Sequence, residues 1–121
     1  MPAPYKKPFA PGDVVWGPDA YHEDDPSLAG MAVRPWLVVS NDSYPGQGLQ
    51  YLVCGLTHTP TSIASMIPLD PGDWEKGGTP KPSHVDTETV ITLKQDWITK
   101  YSGTVRFARL QQARKLLKSY L

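Results

Sequence analysis

The chain has 121 residues, the size of one domain with one core. Twelve basic residues balance twelve acidic ones, so no global basic field advertises nucleic acid, and a hydrophobic content of 40% is ordinary for a globular protein. No apolar run approaches the ~18 residues of a membrane span, and thirteen prolines with ten glycines argue against an all-helical fold.

Residues 1–11 carry Pro2, Pro4, Pro8 and Pro11 and read as a flexible N-terminal arm, with residues 12–121 as a single domain. The opening Met1 to Pro8 lacks the apolar stretch of a signal peptide, so a cytoplasmic location is expected. Asp13 to Trp16 is a first strand. Gly17 to Met31 is a loop long enough to suggest a function, and it holds Asp19, His22, Glu23, Asp24 and Asp25.

Val33 to Asn41 and Leu49 to Thr57 are apolar, β-branched runs separated by the turn-rich Asp42 to Gly48. Paired as an antiparallel hairpin, their opposed positions sum to about 90 within a residue or two of register. Arg34 then stands opposite Leu56 or Thr57 at the open end. Pro35 holds Arg34 extended, and a guanidinium beside a hydroxyl makes a phosphate site.

Ile63 to Leu69 reads as a fourth strand, with Pro68 confining it to an edge. Asp70 to Pro82 is a second long loop. Ser83 to Leu93 alternates, with Val85, Thr87, Thr89, Ile91 and Leu93 on one side. Gly103 to Val105 is a short closing strand. Leu110, Ala113, Leu117 and Leu121, with Leu116 and Tyr120, form the stripe of a C-terminal helix. The expected fold is mainly β: a small antiparallel barrel with one helix packed on it.

The single cysteine, Cys54, excludes an intramolecular disulfide or a cysteine zinc cluster and reads as a small buried hydrophobe. His22 and Glu23 have no third ligand at metal spacing, so neither a metal nor a cofactor is expected. From Lys94 onward the charge is basic, which suits RNA, a protein partner or a solvated helix face.

The blocks Gly12-Asp13-Val14-Val15-Trp16, Arg34-Pro35-Trp36-Leu37-Val38-Val39-Ser40-Asn41-Asp42 and Leu56-Thr57 resemble the MazF/PemK toxin family over most of the chain. The resemblance implies an SH3-like barrel (the MazF/PemK/CcdB type) and a toxin–antitoxin endoribonuclease that cleaves single-stranded RNA sequence-selectively. It also implies a homodimer, with a cognate antitoxin as partner. It makes Arg34 and Thr57 catalytic and points to Ser83 as substrate-binding. Thr59 shares the face of Thr57 by alternation, and Trp74, with Tyr21, Tyr44 and Trp97, is placed to stack on bases. Trp16 and Trp36 read as core. The family carries a Ser-Glu-Gln-like segment before the arginine, whereas Ser27 to Val33 contains no carboxylate. His22 and Glu23 are therefore the acid–base candidates, and Asp86 and Glu88 the reserve. The rival reading is a non-catalytic SH3-like barrel that binds RNA, antitoxin or another protein.

Overall fold

Three of the strands read as unbroken apolar runs because they are buried on both faces. A computed structural model describes residues 9–19, 32–46, 48–60 and 64–121. Expectations that fall on residues 1–8, and on Tyr21, His22 and Glu23, lie outside the described residues. The strands are β1 (Asp13–Pro18), β2 (Val33–Val38), β3 (Gln50–Thr57), β4 (Met66–Leu69), β5 (Trp74–Gly77), β6 (Ser83–Lys94) and β7 (Lys100–Val105), followed by helix α1 (Phe107–Ser119).

They form one antiparallel sheet in the order β4-β6-β3-β2-β1-β7-β5, curled into a half-barrel with β4 and β5 at its edges. Successive side chains alternate between two cores. Val14, Leu37, Cys54, Leu56 and Val85 pack on one face with Leu110 and Ala113 of α1. Val15, Trp36, Val38, Tyr51, Val53 and Leu93 pack on the other with Phe9 and Ile98.

The hairpin has the expected register. Trp36 pairs with Gly55, Leu37 with Cys54 and Val38 with Val53. Pro68 lies on β4, an edge strand, where a missing N–H costs no ladder bond.

Three expectations need correction. Phe9 and Ala10, read as part of a flexible arm, belong to the packed domain: the Phe9 ring is buried in the second core, its N–H donates to Tyr51 Oη at 3.0 Å, and the Ala10 N–H donates to Asp13 Oδ2 at 2.8 Å. The segment 70–82 is not only a loop: it contains a 3₁₀ turn at Pro71–Asp73 and β5, which pairs with β7. A strand of four residues, three of them exposed, shows no alternation to read. The alternation of β6 is also interrupted. Cys54 pairs with Val90 but Gly55 with Asp86, so Thr87, Glu88 and Thr89 form a bulge. The inserted residues reverse the facing of the strand, which puts Val85 and Val90 in the helix-side core and Leu93 in the other. Local hydrogen bonds stabilise the bulge. Thr87 Oγ1 donates to Ser65 O (2.7 Å), Ser65 bonds Glu88, and Thr89 Oγ1 donates to Asp86 Oδ2 (2.8 Å).

Candidate active site

Arg34 is held by the consequences of its neighbour. In the β2–β3 ladder Val39 N–H donates to Leu52 O at 3.0 Å. Hydrogen-bonded pairs recur every second residue along an antiparallel ladder, so position 35 is due to donate to Leu56 O. Proline has no N–H to give. Leu56 O instead accepts from Arg34 Nη2 at 2.9 Å. The Arg-Pro pair thus frees a carbonyl and fills it with the guanidinium.

Three more contacts fix that group. Its Cζ lies 5.1 Å from the centroid of the buried Trp36 ring. Asp19 Oδ1 stands 3.7 Å from Nη1. The guanidinium also lies over Gly55, where a Cβ would fall 2.7 Å from Nη2. The glycine is the space that the arginine occupies. A glycine inside an apolar strand signals such a close approach, and sequence reasoning passed over it.

Carried two residues beyond Trp36–Gly55, the register sets Arg34 opposite Thr57, on the same face. Thr57 is half-buried, and its Oγ1 accepts the Thr59 N–H at 3.1 Å. A turn of the chain therefore aims the hydroxyl. Thr59 contributes through its backbone, and its side chain is not part of the groove wall.

A groove of about 450 Å³ gathers Trp16, Asp19, Arg34, Thr57, Lys81 and Ser83. A larger cavity, about 550 Å³, lies at the loop end of the hairpin between Asn41, Tyr44 and Tyr51, away from these groups. Arg34 and Thr57 are thus brought together as expected. Ser83 reaches the same groove, but it is buried and its hydroxyl is tied to Thr79 Oγ1 (2.8 Å) and Lys81 O (3.1 Å).

Trp74 is a correction. It opens β5, is only 8% exposed and belongs to the helix-side core, so it offers no face to a base. The loop placement failed because β5 was not legible. Trp16 is the converse. Read as core, it is half-buried and lines the groove, with Lys100 Nζ 4.8 Å from its ring centroid.

The reserve carboxylates separate. Asp86 is paired with Gly55, on the face of Arg34, while its oxygens accept Thr89 Oγ1 and the Glu88 N–H. Glu88 is engaged by Ser65 in the bulge. Sequence reasoning also missed His84, which β6 sets opposite Thr57. Its Nδ1 is buried with no partner, a condition that costs about 1–3 kcal/mol in a purely structural role. Among the described residues, no three His, Cys, Asp or Glu side chains are grouped to hold a metal ion.

Residues 10–121 match the family model of the PemK-like, MazF-like toxins of type II toxin–antitoxin systems. The chain belongs to this family. Comparison with curated protein sequences gives no match. Among solved structures, the chain is similar to an endoribonuclease in complex with its cognate antitoxin from a mycobacterial species. The TM-score is 0.68 at 22% identity, over 92% of each chain. A second mycobacterial endoribonuclease gives 0.66 at 24% identity, over 98% of this chain and 91% of the other. The Mycobacterium tuberculosis toxin MazF-mt6 gives 0.63 at 15% identity, over 88% and 93%. At these identities the likenesses establish the fold of the toxin, and the family match establishes its class.

Proposed function

We propose that this toxin is a metal-independent endoribonuclease, with residues 12–121 as its working domain and Arg34 and Thr57 as its catalytic pair. The carrying observation is the guanidinium anchored by Leu56 O, over Gly55 and beside Thr57. A guanidinium so placed binds a phosphodiester and stabilises the charge that builds on it as a fifth oxygen approaches. The Thr57 hydroxyl holds a second phosphate oxygen. The nucleophile is the adjacent ribose 2′-hydroxyl, a route that requires no metal, and the products are a 2′,3′-cyclic phosphate and a 5′-hydroxyl. In-line attack requires the backbone to rotate, which a duplex resists, so the substrate is single-stranded RNA. Trp16 stacks on a neighbouring base and supports selectivity for sequence.

The toxin works in the cytoplasm as a homodimer, and its antitoxin silences it by occupying the same groove. The antitoxin in the complex of the similar mycobacterial endoribonuclease supports that partner. The exposed apolar Phe107, Tyr120 and Leu121 on and beside α1 support an interface. The test is cleavage of a long RNA by wild type, Arg34→Ala and Thr57→Val, with melting curves as the folding control. Arg34→Ala should lose ~10²–10³ in rate, the usual effect of one transition-state donor. Cleavage by that variant within threefold of wild type sinks the catalytic reading and leaves a binding barrel.

A further inference from the structure

Arg34 and Thr57 hold a phosphate, but the reaction also needs a proton acceptor for the 2′-hydroxyl and a proton donor for the departing 5′-oxygen. In-line displacement places those two oxygens on opposite sides of phosphorus. The base and the acid must therefore flank the phosphate from two directions.

The sheet supplies such a row. Strands β1, β2, β3 and β6 are consecutive neighbours. Arg34 is on β2 and Thr57 on β3, with Gly17 opposite Arg34 and His84 opposite Thr57. Asp19 continues β1, its N–H donating to Ala32 O at 2.8 Å, and alternation returns its side chain to the face of Arg34. Asp19 Oδ1 is 3.7 Å from Arg34 Nη1, is buried and receives no hydrogen bond. At the other end His84, opposite Thr57, is half-buried with Nδ1 enclosed and unpartnered. Two titratable groups, each with one enclosed atom that has no hydrogen-bond partner, thus bracket the phosphate-holding pair. Across three strand spacings their backbones stand roughly 14 Å apart, with the side chains reaching inward.

We propose that Asp19 is the general base and His84 the general acid of this site. The assignment rests on the nuclease reading above. The Asp19 carboxylate takes the 2′-hydroxyl proton as the 2′-oxygen bonds to phosphorus. The P–O5′ bond breaks with its electron pair on O5′, which takes the Nε2 proton of the His84 imidazolium. The products are the cyclic phosphate, the 5′-hydroxyl, a protonated Asp19 and a neutral His84. Proton exchange with water resets both. The carboxylate missing from Ser27 to Val33 is supplied earlier in the chain, at the end of β1, and the acid comes from β6.

Leaving-group chemistry separates an acid from a structural residue. A single-stranded oligoribonucleotide bearing a site that wild type cleaves is prepared twice, once normally and once with sulfur in place of the bridging 5′-oxygen. A thiolate departs without a proton. His84→Ala and His84→Gln should cleave the oxygen substrate ~10²–10⁴ more slowly than wild type but the sulfur substrate within threefold of it. Asp19→Asn should be slow on both, with Asp19→Glu recovering part of the rate. Equal slowing of both substrates by both His84 variants, or no slowing by either, overturns the assignment. So does a His22→Ala, Glu23→Ala double variant that alone abolishes cleavage while the Asp19 and His84 variants stay active. A wild-type chain inert on all RNA overturns the nuclease reading itself, and the pair with it. Active wild type with active Asp19 and His84 variants overturns only the pair.

Discussion

Gly55→Ala should nearly silence the protein without unfolding it. The new Cβ would lie 2.7 Å from Arg34 Nη2, 2.9 Å from Cζ and 3.2 Å from Thr89 Cγ2. Unbonded heavy atoms rest at about 3.5–4.0 Å, so the guanidinium retreats by roughly 1 Å. Its 2.9 Å bond to Leu56 O then stretches past hydrogen-bonding range. An ångström of misplacement costs ~10² in rate, or about 2.7 kcal/mol of barrier. Stability moves little. Gly55 does not have a positive φ, so alanine fits the strand backbone and restricts the unfolded chain, a gain of about 0.4–1 kcal/mol. The tight contact with Thr89 offsets that gain, so the net change stays within about 1 kcal/mol. The assay pairs initial cleavage rates with urea unfolding. Gly72→Ala, where a Cβ meets nothing within 4 Å, is the control and should leave the rate unchanged. Gly55→Ala cleaving within threefold of wild type, with the native fold retained, would show that the seat of Arg34 over Gly55 has no part in catalysis.

Two predictions concern the cores. Trp74→Ala should destabilise the fold by about 3–5 kcal/mol, as large aromatic deletions do, because Trp74 is buried against the helix-side core. Weaker RNA binding at unchanged stability would restore the stacking role that burial denies it. The Cys54 thiol is pushed up to about 12, first by burial and then by the nearby Asp86 carboxylate. The reactive thiolate is therefore scarce at pH 8 and grows as pH rises toward that value. Labelling by a maleimide at pH 8 should be at least ~10³-fold slower in the native protein than in denaturant. Equal rates would place Cys54 at the surface.

The parts of the fold legible in the sequence were those whose pattern survives in one dimension. The Asp42 to Gly48 turn fixed a hairpin register near 90, and the β2–β3 pairs of the structure sum to 91, as in Leu37 with Cys54. That one number brought Arg34 to Thr57. Legibility failed where a feature depends on three dimensions. β5 exists because β7 is there to pair with it, and its exposed Glu75 and Lys76 carry no strand signal. The bulge at Thr87–Thr89 depends on Ser65 and Tyr120, distant in sequence, so an even alternation was read through it. Asp19 looked like one charge in an acidic loop until the ladder of β1 and β2 brought it to Arg34. His84 was one polar residue at the start of a strand until β6 paired it with Thr57. Gly55 was the one missed member with a signal in the sequence, a glycine set between Cys54 and Leu56 in a buried strand.

The central claim is that the groove cleaves RNA through the substrate's own 2′-hydroxyl. The most direct measurement uses an oligoribonucleotide with one cleavage site, and its twin with a single 2′-deoxy substitution on the 5′ side of that site, both digested in excess EDTA. The account predicts cleavage of the first, with a 2′,3′-cyclic phosphate and a 5′-hydroxyl identified by mass spectrometry, and an intact second. Cleavage of the deoxy twin at the same bond, or activity that appears only when a divalent metal is restored, would contradict it.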